Sequence, residues 1–168
     1  MSGAILTPGD HRAYTLKPHW AHAIAHLGKR CENRNTPIPK GLVGTRIAIH
    51  AGASMLGDGW LGDLLPFYGN AEHLWMHDAR QGRPWARGAV SYSAFVATGV
   101  LAASVDWEDQ DGDAPAWTRW GMRSHRWWWR LDGVLPLAQP VPVVRGSQGP
   151  WRLTPEQVEA INAAGGGL

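Results

Sequence analysis

The sequence predicts an α+β domain in which short strands build the sheet and helices lie at its periphery. A strand–helix–strand opening over residues 13–34 predicts it, together with apolar runs at 46–50, 95–105 and 127–137 and a capped helix near the C-terminal end. The abundance of turn formers, 21 Gly and 12 Pro in 168 residues, suits short elements joined by turns within one domain.

Taken in order, residues 1–12 carry Pro8, Gly9 and Asp10 without sustained periodicity and read as an extended, flexible lead-in; residues 13–168 read as the single domain. Ala13–Leu16 is a short strand. Pro18 suits the first turn of a helix, where its missing N–H costs nothing, and Trp20, Ile24 and Leu27 recur at helical spacing. Gly28 stops that helix, whose polar face is expected to carry His19, His22 and His26. Lys29–Arg34, bounded by Gly28 and the Pro37/Pro39 loop, is a short strand crossing beneath it. Arg46–His50 is a clearer strand. Residues 51–94 have weak periodicity, with one or two short helices expected within 60–80. Phe95–Val105 reads as a buried strand, the acidic Asp106–Asp113 stretch as a solvated turn, and Trp127–Leu137 as a further strand. Thr154-Pro155-Glu156-Gln157 is a capping box with Pro at the first helical position, starting a helix over 155–163.

Composition narrows the function. The 16 Lys and Arg exceed 14 Asp and Glu by two, with a sequence pI near 9.0, too small an excess for binding by bulk phosphate neutralisation. Any nucleic-acid partner therefore needs a local patch or pocket. A lone cysteine, Cys31, excludes an internal disulfide and fits a reducing compartment. No apolar run approaches the roughly 18 residues of a membrane span, and Met1–Leu6 lacks a signal-peptide pattern, so the chain is expected to be cytoplasmic and without a membrane partner. There is no P-loop, dinucleotide glycine fingerprint or Gly-x-Ser-x-Gly elbow, and the acidic stretch fails the EF-hand pattern because Trp107 falls at the first ligand place. No cofactor is expected. The eleven tryptophans are the most unusual feature: indole either fills a core or presents a stacking face.

The order of several short motifs resembles the ASCH family. Leu16-Lys17-Pro18-His19-Trp20-Ala21 opens a helix, Gly28-Lys29-Arg30-Cys31-Glu32-Asn33-Arg34 follows, and Ile47-Ala48-Ile49-His50-Ala51-Gly52 forms a strand end. Arg145-Gly146-Ser147-Gln148-Gly149-Pro150-Trp151 is similar to a late stretch of some bacterial and viral members, so the resemblance spans residues 13–153. It implies a small PUA-like mixed β-barrel with peripheral helices and a cleft facing the Lys/Glu/Arg segment. It implies RNA as the usual ligand, and it admits ribonuclease or acylated-cytidine amidohydrolase activity in related proteins. Where the amidohydrolase branch has threonine, this chain has Glu32.

The residues of that segment support the same reading chemically. On a strand Glu32 and Arg34 share one face, with Lys29 at its entrance, so two cations and a carboxylate line one cleft. Lys and Arg donate to phosphate or carbonyl oxygens, and Glu accepts from an exocyclic amine of cytosine or a similar base. As a plain surface ion-pair cluster the three would contribute under about 1 kcal/mol. Lys29→Ala is accordingly expected to weaken binding without unfolding the chain. His50 ends an apolar strand and is the better proton shuttle, so Lys29, Glu32 and His50 are the catalytic candidates if the protein is an enzyme. His19, His22 and His26 fall at i, i+3 and i+7 but lack a supporting carboxylate, so no metal site is assigned.

Trp117, Trp120 and Trp127–Trp129 interleave with Arg119, Arg123, His125, Arg126 and Arg130, as in a single-stranded nucleic-acid groove, where stacking contributes about 1–3 kcal/mol per base. Strand alternation separates Trp127 and Trp129 from Arg126, Trp128 and Arg130, so one set is expected in the core and the other toward solvent. The expected binding set is Lys17, Trp20, Lys29, Glu32, Arg34, His50, Arg126, Trp128 and Arg130. The partner is RNA or single-stranded or modified DNA. A hydrolase using the same cleft is the alternative, and an interaction protein with exposed tryptophan surface the third reading. The oligomeric state is not fixed by the sequence.

Overall fold

A computed structural model describes residues 5–6, 11–53, 90–110, 115–143 and 145–165. The short helices expected within 60–80 and residues 111–113 of the acidic stretch lie outside them. The elements are β1 (Arg12–Leu16), α1 (Pro18–His26), β2 (Cys31–Arg34), β3 (Arg46–Ala51), β4 (Ala94–Asp106), β5 (Trp127–Pro142), β6 (Pro150–Arg152) and α2 (Pro155–Gly165). Single 3-10 turns occur at Lys40–Leu42, Trp107–Asp109 and Ala116–Trp120.

The sheet has six strands in the order β2-β5-β4-β3-β1-β6. The β1–β3 pair is parallel and every other pair antiparallel, which makes the sheet mixed. It curls into a half-barrel, with β2 and β6 as its edges. Irregular pairing supports the curl: the β4–β5 register shifts between Phe95 and Ala97, Thr98 and Val100, and Leu101 and Ala103, and the β3–β4 register shifts at Ile49/His50. At one of these shifts Gly133 adopts φ +50°, and Arg46 bridges it by donating to Gly133 O (2.8 Å) and Thr98 Oγ1 (3.0 Å).

Both faces of the sheet are buried, because successive side chains alternate sides. Tyr14, Leu16, Ile47, Ile49, Leu101, Trp129 and Leu131 pack on one side with Ala21, Ile24 and Ala25 of α1. Ala13, Ala48, Phe95 and Leu137 pack on the other with Ile161 of α2 and Leu6. The small pair Ala13 and Ala48, adjacent in register, leaves room for Phe95 and α2. Leu6, within the expected lead-in, is buried, and its backbone exchanges two hydrogen bonds with the Asn162 side chain (2.7 and 2.9 Å).

Helix α1 starts at Pro18, as its sequence dictates, and Gly28 at φ +72° lets the Lys29 N–H close on Ala23 O (3.1 Å). Its histidines do not share a polar face. His19 is buried, its ring 4.8 Å from that of Trp20, and α1 also packs through Ala23 on a second cluster with Cys31, Trp120 and Trp128. The capping box at α2 forms as expected: Thr154 N–H donates to Gln157 Oε1 (3.0 Å) and Gln157 N–H to Thr154 Oγ1 (3.3 Å). No described helix is long and apolar enough to cross a membrane.

Gly28 and Gly121 separate two kinds of glycine requirement. A Cβ at Gly28 meets no atom within 4 Å, so Gly28→Ala should lower unfolding free energy only by the left-handed backbone penalty, about 1–2 kcal/mol. A Cβ at Gly121 would lie 2.6 Å from the Trp128 ring, so Gly121→Ala should cost more than Gly28→Ala. Urea unfolding of both variants checks the order.

Candidate functional site

The turn at Gly28 drops Lys29 beneath α1, where its side chain is 1% exposed. Its ammonium donates to Glu32 Oε2 (2.8 Å) and to the Cys31 carbonyl, and lies 5.4 Å from the Trp20 ring centroid. Glu32 Oε1 in turn pairs with Arg34 (3.0 Å), whose guanidinium lies 4.1 Å from the Tyr14 ring centroid. Lys29, Glu32 and Arg34 thus form a ladder running from the interior outward, the Arg34 side chain being 26% exposed. Burial raises the Tyr14 phenol above its usual range, with Arg34 opposing that rise, so the ring facing the guanidinium is neutral. Arg30, on the opposite side, donates to the carbonyls of Ile24 and Lys29 (both 2.9 Å) at the end of α1.

The outer end of the ladder opens into a cleft of two compartments. The first, ≈ 350 Å³, is lined by Lys17, Trp20, Glu32, Arg34, Met122 and His125, with Thr15, Leu16 and Asn33. Asn33 fixes its far wall by donating to Trp120 O (3.0 Å) and accepting from Met122 N–H (2.6 Å). The second, ≈ 580 Å³, is lined by His50, Ser93 and the Arg145–Gly149 loop, with Thr15 and Arg34 common to both.

His50 is buried in the wall of the second compartment. Its Nδ1 lies 3.1 Å from Thr15 Oγ1, which accepts from Trp151 Nε1 (3.1 Å), and its ring meets Phe95 and Trp151 edge-on at 5.6 and 5.9 Å. His50 Nε2 and Arg34 Nε have no hydrogen-bond partner among the described residues. Burial lowers the His50 pKa, favouring the neutral imidazole.

The expected residues therefore divide. Lys17, Trp20, Glu32 and Arg34 meet in the first compartment and His50 stands in the second, whereas Lys29 lies behind Glu32 and lines neither. Arg126, Trp128 and Arg130 also lie outside both compartments. Arg126 pairs with Asp106 (2.6 Å), and Arg130 makes a two-point pair with Asp132 on its own strand (2.8 and 2.7 Å). The expected solvent-facing tryptophan is buried: Trp129 enters the main core, Trp127 packs against it, and Trp128 fills the second cluster and donates to Met122 O. The tryptophans of this segment thus pack inward, while Arg126 and Arg130 stay exposed and are paired with Asp106 and Asp132. Asp106, expected in a solvated turn, is itself buried, and the bond from Arg126 together with that from Glu108 N–H holds its carboxyl below the usual range.

Thr15, Met122 and Ser93 line the cleft but lie in no motif, and Asn33 lines it from within the Gly28–Arg34 segment without a role that the sequence reveals. The Arg145–Gly149 loop did carry a signal, its Gly-rich run between an Arg and a Trp. The histidines of α1 form no triad: the His22 and His26 rings are 4.8 Å apart, and among the described residues no group of three His, Cys, Asp or Glu side chains is placed to hold a metal.

Against known structures, the chain is similar to a crystallised tyrosine-to-phenylalanine variant of the ASCH protein from Zymomonas mobilis, with TM-score 0.50 and 14% identity over 92% of this chain and 98% of that one. The crystal structure of ASCH from Zymomonas mobilis itself gives 0.49 and 15% over 92% and 94%. No family model matches the chain, and no curated protein matches it. The protein has the PUA-like α+β fold of ASCH domains.

Burial of Lys29 revises what its removal does. Lys29→Ala strips a desolvated carboxylate of one partner and should cost about 3–5 kcal/mol of stability, readable by urea unfolding, rather than weakening binding alone. Burial pushes the neighbouring Cys31 thiol up to about 12, so an aromatic disulfide reagent should label it only as the protein unfolds. Folding also lowers the pKa values of His26 and His50, so the unfolded chain takes up these protons first. Their contribution to stability is therefore complete above about pH 6.5, the unfolded value, and is lost as the pH falls from there through the lower folded-state values. Urea titrations should show a shallower loss below about pH 6.5 in His50→Gln, with the His26 share remaining.

Proposed function

We propose that the protein binds single-stranded or locally opened nucleic acid, RNA or modified DNA, by taking one base into the compartment beside Trp20. The observation that carries this reading is the Glu32–Arg34 pair at the outer end of a buried ladder, an acceptor and a donor held side by side in a cleft. Both Glu32 oxygens are engaged by cations, yet each retains a lone pair, and Arg34 has donors beyond the one given to Glu32. An amine-bearing base edge with a neighbouring acceptor, as in cytosine, matches that arrangement. Trp20 supplies an apolar wall for the ring and Lys17 an exposed cation at the rim.

Phosphate contacts are few in this reading. Among the described residues Lys17, Arg34 and Arg145 are the cations lining the cleft, and three contacts on a single strand give a log–log salt slope of about −2. Titrating short RNA and DNA oligomers at two salt concentrations should return that slope. Trp20→Leu, which removes the indole but leaves an apolar side chain, should weaken binding about tenfold or more, whereas Arg130→Ala, outside the cleft, should leave affinity unchanged. Equal loss in both variants, or turnover of the oligomer in place of binding, would overturn the reading.

A further inference from the structure

We propose that the second compartment is a phosphate subsite, holding a phosphate of the nucleotide whose base occupies the first; the proposal rests on the nucleic-acid-binding reading of that first compartment. The two compartments share Thr15 and Arg34 and differ in charge. The first contains Glu32, which suits an amine. Among the described residues, the second is lined by Arg34, Arg145 and His50 with no carboxylate. Guanidinium groups match phosphate oxygens two at a time, and Arg34, standing between the compartments, has a buried Nε without a partner among the described residues. Arg145 is exposed at the rim and makes no ion pair among the described residues. Ser147 and Gln148 add neutral donors beside it.

The wall of this compartment is fixed at both ends of its loop. A Cβ at Gly146 would lie 2.5 Å from His50 Nδ1, His50 Cε1 and Thr15 Oγ1, so the loop backbone rests directly on that pair and only glycine fits. Past Gly149, which turns at φ +71°, Trp151 stacks on Phe95 (5.7 Å) and donates to the same Thr15 hydroxyl. His50 and Thr15 therefore act as positioning residues for the loop, and the Trp151 indole N–H reports on the compartment without lining it.

The test uses the full chain labelled with 15N. Cytidine, its 5′- and 3′-monophosphates, and inorganic phosphate are titrated separately while the Trp151 indole resonance is followed. One of the monophosphates should bind at least tenfold tighter than cytidine, and inorganic phosphate alone should move the Trp151 signal. Arg145→Ala should bring the monophosphate down toward the affinity of the nucleoside, and Ser147→Ala should act in the same direction to a smaller extent. If cytidine binds in a Trp20-dependent way but neither phosphate improves on it, and inorganic phosphate leaves Trp151 unmoved, the subsite is wrong while the base compartment stands. If cytidine and oligomers fail to bind, the functional reading fails, and the inorganic phosphate titration decides the subsite alone: an Arg145-sensitive response supports it and no response overturns it.

Discussion

The ammonium of Lys29, taken almost wholly out of water, is the constraint on which the cleft depends. A buried cation is tolerated only when it is paired and hydrogen-bonded, and here the Cys31 carbonyl and Glu32 satisfy it. Glu32 is thereby held at one angle, and its second oxygen fixes Arg34 over the Tyr14 ring. The rigidity of the outer pair is thus inherited from the inner one. A ligand meeting Glu32 and Arg34 meets groups already oriented, so less ordering remains to be done on binding.

The second constraint is the double burial of the sheet. With α1 covering one face and α2 the other, open polar surface is left along the β1 end, where Thr15 separates two core-facing residues, Tyr14 and Leu16. Thr15 is half-buried and belongs to both compartments, while its hydroxyl connects His50 with Trp151. A change at this position would reach both walls of the cleft at once. Among the described tryptophans, Trp120, Trp128 and Trp129 are interior, and Trp20 contributes to the core and to the cleft together.

Much of this was legible in the sequence because local chemistry dictated it. Pro18 and Gly28 bound α1, the Thr154–Gln157 box opens α2, and the apolar runs become β3, β4 and β5. Alternation on β2 likewise placed Glu32 and Arg34 on one face. What depends on distant neighbours was not legible. Nothing local reveals that Trp128 is buried in a second cluster while Trp129 enters the main core, that Asp106 claims Arg126, or that His19 is buried. The depth of Lys29 was hidden for the same reason, since a Gly-Lys pair after a helix reads equally as a surface turn.

Photocrosslinking locates the bound strand most directly. Short oligomers carrying a thio-substituted base are irradiated with the protein, and the modified residues are mapped by mass spectrometry. Crosslinks should concentrate on Lys17, Trp20, Met122 and His125, which line the first compartment. Crosslinks confined to the Arg126–Arg130 stretch of β5, with the cleft residues unmodified, would contradict the assignment of the Trp20–Glu32–Arg34 cleft as the binding site.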